Sequence, residues 1–332
     1  MVRAVTQADV AREAGVSRQL VSLVVQNDKH VSKERRAAVL EAMERLGYRP
    51  NWAAQSLASK STGNFGLLVP SFANPFYGEF AESFTNAVRR RGFTTSLAVS
   101  LEDEEFENKS IERFLELRVS GLAMISPKIE HTSLERIAQL MPVCLVSNNA
   151  APSNCDLVHT KDFEAVKLAT KYLASKGYEN LVYLGQFRSI PGDTTHERIR
   201  GYKAAMAELG EEQRTTVILI DESVSEAARQ VIEEFGPGTG VIAHNDLVAM
   251  ELLMAVHDAD YTPGKDIGIT GFDNTRISAM PTISLSTIDQ QLDLMAEKTI
   301  DLLISRGNNL RAAQQDVVIE PRLIERSSTI VR

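Results

Sequence analysis

Residues 6–32 of the chain read TQADVAREAGVSRQLVSLVVQNDKHVS and predict two short helices joined by a tight turn. Thr6 is a good N-cap, and Asp9 can reach back to the amide of the cap, so a helix begins here. Gly15 ends this helix in the left-handed conformation that glycine adopts cheaply, and Ser17 caps a second helix two residues later. A turn this short predicts that the two helices cross sharply.

The second helix has an apolar side and a polar N-terminal end. Its apolar residues Leu20, Val21 and Val24 can point inward, whereas Arg18 and Gln19 remain outside with Ser17 and Ser22. In a helix-turn-helix unit this end of the second helix meets base edges in the DNA major groove. Arginine can fork onto guanine and glutamine onto adenine. The alternative is a small amphipathic three-helix unit that binds another protein.

A third helix is predicted from Ser32, with Glu34 near its positive end and Gly47 at its exit. Its inward-facing residues are Ala38, Val39, Met43 and Leu46. The first 49 residues therefore form a candidate all-α DNA-binding head.

Motifs along nearly the whole chain resemble the lactose-repressor (LacI/GalR) family of transcription regulators. They are VTQADVAREAGVS, HVSKERRAAVLEAMERLGYRPN, SLA at 56–58, NPFY at 74–77, VSGL at 119–122, RIRGY at 198–202, HND at 244–246 and GFDN at 271–274. The resemblance implies a helix-turn-helix head and a two-lobed α/β body of the periplasmic-binding-protein type, with doubly wound parallel sheets. It also implies a homodimeric repressor that reads a palindromic operator and responds to a small polar effector, such as a sugar, in the cleft between the lobes.

The predicted DNA-binding set extends beyond the recognition helix. It comprises Thr6, Ser17, Arg18, Gln19, Ser22, Asn27, His30, Ser32, Arg35, Tyr48, Asn51, Gln55 and Leu57. The family commonly has threonine and arginine where this chain has Leu20 and Leu23, so we expect one phosphate contact and one base contact to be lost.

Residues 50–62 are predicted to be a hinge or linker. Asn51 could cap a helix of one or two turns through Ala58, which is too short to persist alone. By resemblance, this segment would fold on DNA beside the same segment of a second subunit, and Leu57 would wedge into the minor groove. Without DNA, a plain linker remains the alternative.

Charge divides unevenly along the 332-residue chain, whose net charge is −8. Residues 1–60 contain ten Lys or Arg and six Asp or Glu, a balance of +4, which leaves −12 for the remainder. A basic head supplies the salt-dependent attraction to DNA, and an acidic body is discouraged from lying on phosphates.

Composition indicates a cytoplasmic protein without catalytic chemistry. The chain has no apolar segment typical of a signal peptide or a membrane span. Cys144 and Cys155 lack metal or redox spacing and are expected to be free thiols. No phosphate-binding glycine loop, histidine metal motif or G-x-S-x-G elbow is present, so we predict neither an enzyme nor a cofactor or metal. His196 and His244 are interpreted as cleft-lining or capping residues, since a lone histidine is usually structural.

After Asn64 the pattern alternates between buried strands and helices, which predicts parallel, helix-covered sheets. The predicted strands are 65–69, 95–99, 122–126, 143–146, 181–184, 217–220, 241–243, 267–271, 317–319 and 323–324. The predicted helices are 75–91, 106–117, 134–140, 162–176, 195–209, 224–235, 247–257 and 290–306. We assign the body to 63–332, with lobe one at 63–160 plus about 290–318 and lobe two at 161–289 plus about 319–332.

Open parallel sheets bind ligands beyond the carboxyl ends of their strands, so two facing lobes predict a cleft there. The candidate ligand-binding residues at these ends are Asn74, Phe76, Tyr77, Ser126, Ser147, Arg198, Asn245, Asp246 and Asp273. Arginine, amide and carboxylate groups together can hold a polyhydroxyl compound. Individually, Asp246 could be an N-cap, Asn74 a turn residue, and Arg198 and Asp273 a simple ion pair.

By resemblance, Arg198, Asn245 and Asp273 occupy effector-contact positions. Two departures point to a smaller or differently charged ligand than the usual sugar. Ser147 stands where lactose-type regulators often have aspartate, and Asp221, Glu222 and Ser223 stand where many members carry a ring-stacking aromatic residue.

Three classes of function remain open on these residues alone. The leading one is the effector-controlled repressor, expected to be a dimer because no leucine-heptad tail follows the last predicted strand. The second is a solute-binding protein with no role on DNA, which would leave residues 1–60 unexplained. The third is a sugar-processing enzyme of doubly wound fold, which turnover of a bound carbohydrate would support.

Overall fold

The computed structural model describes residues 5–25, 28, 30–49, 62–186, 192–220 and 223–330. The chain divides into two compact units, residues 1–62 and 63–332, which are called here the head and the body.

The head contains three helices: α1 (Gln7–Glu13), α2 (Arg18–Val25) and α3 (Lys33–Leu46). A capping box joins Thr6 and Asp9 at the start of α1, and Ser32 caps α3 by accepting from the Arg35 amide. Gly47 ends α3 at φ 63°, a left-handed conformation that suits glycine. The core of the head is formed by Val10, Ala11, Val21, Val24, Val31, Val39, Ala42 and Tyr48. Burial of these side chains stabilises the crossing of the three helices.

The body contains two six-stranded sheets. The first has the order β11-β5-β4-β3-β1-β2, and all its pairings are parallel. Its strands are β1 (Asn64–Val69), β2 (Thr94–Val99), β3 (Leu122–Ile125), β4 (Val143–Val146), β5 (Asp156–Thr160) and β11 (Asp316–Ile319). The helices α4 (Pro75–Arg90), α5 (Glu104–Glu116), α6 (His131–Ala138) and α11 (Leu292–Gly307) accompany this sheet. We call this assembly the first lobe.

The second sheet has the order β12-β10-β9-β8-β6-β7. Its strands are β6 (Asn180–Gln186), β7 (Thr216–Ile220), β8 (Thr239–Ala243), β9 (Ile267–Asp273), β10 (Ser286–Asp289) and β12 (Arg322–Ile324). The helices α7 (Asp162–Ser175), α8 (Thr195–Glu208), α9 (Val224–Phe235) and α10 (Asp246–Asp258) accompany it. The prediction of parallel pairing is wrong for β12, which runs antiparallel to β10. We call this assembly the second lobe.

The chain passes between the lobes three times: from β5 to α7, from β10 to α11, and from β11 to β12. At these crossings the Lys161 amide donates to the Ile319 carbonyl over 3.2 Å. The Gln291 side chain donates to the Glu320 carbonyl over 2.7 Å. Hydrogen bonds therefore tie the three crossing segments to one another.

Two strands were absent from the predicted pattern, β5 and β10. Both are short and rich in polar residues, and both are fixed by residues distant in sequence. Asp156 of β5 is fully buried and pairs with Arg306 of α11, and Ser286 of β10 bonds to Arg326, Ser328 and Thr329. Local hydrophobic periodicity carries no signal for such long-range pairs.

Cys144 and Cys155 are buried free thiols, as predicted. Burial raises the pKa of Cys144 and raises the pKa of Cys155 to about 12. Within the described ranges, no helix combines the length and the apolar character needed to cross a membrane.

Candidate functional site

The predicted recognition helix, α2, presents a polar N-terminal end. The Ser17 hydroxyl accepts from the Leu20 amide over 3.2 Å, while Ser17, Arg18 and Gln19 are all exposed. Val21 and Val24 are buried on the other side of this helix. The predicted base-reading residues therefore lie at the solvent-facing start of α2.

Leu20 and Leu23 are half-buried and pack against the core of the head. At these positions the family commonly carries polar or charged residues, by the resemblance described above. The two leucines therefore extend the apolar support beneath α2.

The other predicted DNA-binding residues differ in exposure. Thr6, His30, Ser32 and Arg35 are exposed, and Ser22 is half-buried. Tyr48 is only 9% exposed and packs in the core of the head, because Gly47 turns the chain back and the Tyr48 amide donates to the Met43 carbonyl over 2.8 Å. Its DNA contact stays a prediction. The remaining predicted residues, Asn27, Asn51, Gln55 and Leu57, lie outside the described residues, as does most of the hinge.

In the body, a cavity of about 450 Å³, including space open to solvent, lies between the carboxyl ends of the two sheets. It brings together eight of the nine predicted ligand-binding residues: Asn74, Phe76, Tyr77, Ser126, Ser147, Arg198, Asn245 and Asp273. Asp193, Thr194, His244 and Gln290 also line it, and sequence reasoning did not propose these four as ligand contacts.

Arg198 of α8 is fixed on three sides. Its Nε donates to Asp162 Oδ1 over 2.7 Å, its Nη1 donates to the His244 carbonyl over 2.7 Å, and its guanidinium lies 3.7 Å from the centre of the Phe272 ring. Burial raises the pKa of Asp162, and the adjacent guanidinium opposes that shift. The alternative of an ion pair between Arg198 and Asp273 is wrong, because Arg198 forms its ion pair with Asp162 instead.

Asp273 ends β9 at φ 129°, and its side chain is buried. Its Oδ1 accepts from Gln290 Nε2 over 2.7 Å, and its Oδ2 has no hydrogen-bond partner among the described residues. Burial, and then the charge of Asp246, raise the pKa of Asp273 well above its usual range. A buried acceptor without a partner is costly unless a ligand or solvent completes it.

Asp246 does not line the cavity; it holds the second lobe together. The N-cap of α10 is Asn245, whose Oδ1 accepts from the Val248 amide over 2.9 Å, so the alternative of an Asp246 cap is wrong. Asp246 instead accepts from the backbone amide and the hydroxyl of Thr275, and from the hydroxyl of Thr287 over 2.5 Å. These bonds place the 273–276 turn beside the cavity.

The first lobe contributes a ring pair and two serines. Asn74 caps α4 by accepting from the Phe76 amide over 3.0 Å, and the Phe76 and Tyr77 rings pack edge to face with centroids 5.6 Å apart. Ser126 and Ser147 both have positive φ, 43° and 53°, which is unfavourable for residues with a side chain. The Ser126 hydroxyl donates to the Ser147 carbonyl over 3.2 Å, whereas the buried Ser147 hydroxyl has no partner among the described residues.

Of these four lining residues, the sequence identifies only His244 as cleft-lining, and its signals for the other three were weak. His244 stands within the HND motif, directly before Asn245, and Asp193 and Thr194 follow the carboxyl end of β6 before α8. Gln290 follows β10, which the pattern did not predict, so no strand end pointed to it. Within the described ranges, no cluster of three or more His, Cys, Asp or Glu side chains could hold a metal ion.

Comparison with known proteins finds a matching family model for both the head and the body. Residues 6–51 match the model for bacterial regulatory proteins of the lacI family, and residues 170–329 match a periplasmic binding protein-like domain. The chain is 31% identical over 331 residues to the ribose operon repressor of Escherichia coli strain K12, covering 97% of this chain and 99% of that protein. The chain belongs to the LacI family of bacterial regulatory proteins. This LacI-family protein is thus a DNA-binding transcriptional regulator and not an enzyme, as predicted.

Solved structures support the same fold. The lac repressor dimer bound to operator and the anti-inducer ONPF superposes with a TM-score of 0.84 at 23% identity, covering 99% of this chain and 100% of that chain. A LacI family transcriptional regulator from Enterococcus faecium with bound ribose gives a TM-score of 0.69 at 23% identity, covering 81% of this chain and 99% of that chain. The LacI-family fold therefore extends over head and body.

Proposed function

We propose that this protein is a dimeric, cytoplasmic repressor that binds a palindromic operator and responds to a small neutral sugar. In this proposal residues 1–49 read one half-site, residues 50–62 form the hinge, and residues 63–332 form the effector-binding and dimerisation body. The first lobe would comprise 63–160 plus about 290–318, and the second 161–289 plus about 319–332.

The observation that carries the effector site is a pair of buried polar atoms without partners. Asp273 Oδ2 of the second lobe and Ser147 Oγ of the first lobe both lack hydrogen-bond partners among the described residues, and both residues line one cavity. A polyhydroxyl ligand supplies donors and acceptors in one molecule, so it can complete both lobes at once. Asn245 uses its Oδ1 as a helix cap, which leaves its Nδ2 amide as the group to donate to such a ligand.

Charge favours a neutral ligand over a phosphorylated one. Arg198 is paired with Asp162, and the other ionisable side chains that line the cavity include Asp193 and Asp273. Among the described residues that line the cavity, no lysine or second arginine accompanies Arg198, so these residues have little to offset the charge of a phosphate group. The relative named as a ribose operon repressor and the similar structure with bound ribose make D-ribose the first compound to test.

The DNA-binding half of the proposal rests on the exposed start of α2. Arg18 would fork onto guanine and Gln19 would bond adenine, while the exposed Thr6, Ser32 and Arg35 would position the head on phosphates. Effector binding would change the relative orientation of the lobes and so the spacing of the two hinge segments.

Two matched pairs of variants test the two halves separately. Arg198→Ala should abolish the effector response and leave operator affinity unchanged, whereas Arg200→Ala, on the same helix but exposed, should leave both intact. Arg18→Ala should cost about 1–3 kcal/mol at one base pair of each half-site, whereas Arg45→Ala, which removes an exposed arginine of α3, should cost far less. Operator affinity would be measured by fluorescence anisotropy on DNA selected from a random pool, with and without D-ribose.

The contrary outcomes are distinct. Equal loss on selected and random DNA for Arg18→Ala would remove its base-reading role. An unchanged effector response in Arg198→Ala would remove Arg198 from the site. Calorimetric titration with D-ribose and D-ribose 5-phosphate decides the ligand class, and binding of the phosphate alone would reject the neutral-sugar assignment.

A further inference from the structure

Two direct contacts join the lobes on either side of the cavity. On one side the Asn149 amide of the first lobe donates to the Gly192 carbonyl of the second lobe over 2.9 Å. On the other side the Arg276 amide of the second lobe donates to Glu79 Oε1 of α4 over 2.8 Å. The Arg276 guanidinium also lies 2.8 Å from Glu82 of the same helix.

The strand order places these contacts on opposite sides of the site. In the second sheet β8 lies between β6 and β9, and in the first sheet β3 lies between β4 and β1. Gly192 and Asn149 follow β6 and β4, whereas Arg276 and Glu79 follow β9 and β1. The cavity residues Asn245 and Ser126 follow the central strands β8 and β3. The two contacts therefore bracket the cavity.

The contact at Gly192 favours glycine over a residue with a side chain. Gly192 has φ +75°, which side chains disfavour, and a Cβ built on it would lie 3.0 Å from the Ala150 carbonyl oxygen and 3.1 Å from the Ala150 nitrogen. Because both atoms belong to the backbone of the first lobe, they cannot move aside as a flexible side chain would. A side chain at this position therefore requires the first-lobe backbone at Ala150 to shift by a few tenths of an ångström.

The contact at Arg276 has a different physical basis. Arg276 is exposed, and its ion pair with Glu82 has side chains 69% and 53% exposed, so that pair alone contributes little. The hydrogen bond from the Arg276 backbone amide to the half-buried Glu79 side chain fixes the position of the turn that begins at Asp273. Glu79 is only two residues beyond Tyr77, so both partners adjoin residues of the cavity.

From this arrangement we propose that the Asn149–Gly192 and Arg276–Glu79 contacts act as two latches that form and break together when the lobes close and open. Gly192 is then a positioning residue, because its missing side chain sets how closely the lobes approach. The consequence for the effector rests on the proposed function: a variant that populates the closed form less binds the effector more weakly by the same factor.

Amide hydrogen exchange of the full-length protein without ligand, resolved at Asn149 and Arg276, tests the latches directly. Gly192→Ala should accelerate exchange at both amides by about tenfold or more, since closure protects both. Gly210→Ala is the matched control, because Gly210 has φ +77° in the same lobe but no atom within 4 Å of a built Cβ. It carries the same backbone strain without the contact.

A second variant breaks the other interlobe contact, between Arg276 and Glu79. Glu79→Ala removes the acceptor of the Arg276 amide and should accelerate exchange at Asn149 as well, whereas Glu116→Ala, at an exposed position of α5, should not. Acceleration confined to the altered side, or equal acceleration in Gly210→Ala, would overturn the proposal.

D-ribose serves as the probe for the effector consequence. If it binds the wild type, Gly192→Ala should raise its Kd several-fold and Gly210→Ala should not. If it does not bind, the assignment of the sugar fails, while the exchange rates measured without ligand still decide whether the latches exist.

Discussion

At the scale of single residues, the buried carboxyl group of Asp273 destabilises the fold and offers an acceptor to a ligand. Its Oδ1 is held by Gln290, its Oδ2 points to no partner among the described residues, and Asp246 adds a second buried carboxylate nearby. Such a group is unfavourable for folding in the absence of ligand. The protein therefore carries a destabilising group where it would bind its effector.

Asp273→Asn should stabilise the protein in a pH-dependent way. Burial holds the pKa of Asp273 above that of an unfolded aspartate, so the folded state loses stability as pH rises through the window above about 4. Asparagine removes this penalty and keeps an Oδ1 acceptor for Gln290. We expect the Tm at pH 8 to rise by about 2–4 °C, with a smaller gain at pH 5.

Thermal unfolding followed by circular dichroism between pH 5 and 8 checks this expectation. Asp258→Asn, at an exposed position near the end of α10, serves as the control and should show no gain that grows with pH. A Tm difference for Asp273→Asn that stays constant across this range would contradict the assignment of a raised pKa. Effector titrations on the same variant report the functional cost.

Residue roles were only partly predictable from the sequence. Exposure of Arg18 and Gln19 follows from the amphipathic pattern of α2, and the gathering of Asn74, Ser126, Arg198 and Asp273 follows from the strand-end rule. That Tyr48 turns into the core of the head was not predictable, because its inward position depends on the turn at Gly47 and on packing against two other helices.

At the scale of elements, the alternation of strand and helix was predictable where hydrophobic runs were continuous. The helix Val224–Phe235 and the strand Val143–Val146 have the predicted bounds, and most others differ by one to three residues at an end. The polar strands β5 and β10 were missed, since their stability comes from partners up to 150 residues away, as the pair of Arg306 and Asp156 illustrates.

We expect the ion pair of Arg306 with Asp156 to be the main interaction that stabilises the packing of α11 against β5. It is 1% exposed, its Nε donates to Asp156 Oδ2 over 2.6 Å, and its guanidinium also donates to the carbonyls of Leu310, Ala312 and Ala313. Arg306→Met leaves the buried Asp156 without its cation, so we expect a loss of about 3–5 kcal/mol in the free energy of unfolding.

Urea unfolding of the full-length protein measures this loss. Arg113→Met, which removes an exposed arginine of α5 bonded to Glu116 on the same helix, should change stability by no more than about 0.5 kcal/mol. The double variant Arg306→Met/Asp156→Leu should recover part of the stability. If Arg306→Met lowered the free energy of unfolding as little as Arg113→Met does, the ion pair would not be important for stability.

At the scale of the whole molecule, charge separates the two units. The head side of the chain, residues 1–60, carries +4, and the remainder carries −12. Attraction to DNA is thereby concentrated in the unit that carries α2, and the body contributes repulsion from the phosphate backbone.

A protein consisting of residues 63–332 should lose operator binding and retain effector binding. The affinity of the full chain for DNA should fall linearly with salt on logarithmic axes, because bound counterions are released. Anisotropy titrations at several salt concentrations, with calorimetric titration of D-ribose on both proteins, measure the two properties. Sequence-specific DNA binding by residues 63–332 would contradict the assignment of the head.

The three crossings between the lobes also fix the order in which the protein can be completed during synthesis. The first sheet includes β11 (Asp316–Ile319), and the second includes β12 (Arg322–Ile324). Neither sheet can therefore be complete until the ribosome has translated nearly all the described residues. The three helices of the head share a core formed by residues between 10 and 48, and they can fold as soon as they emerge. A nascent chain would thus display a folded α2 for most of its translation, well before it has an effector cavity to control it.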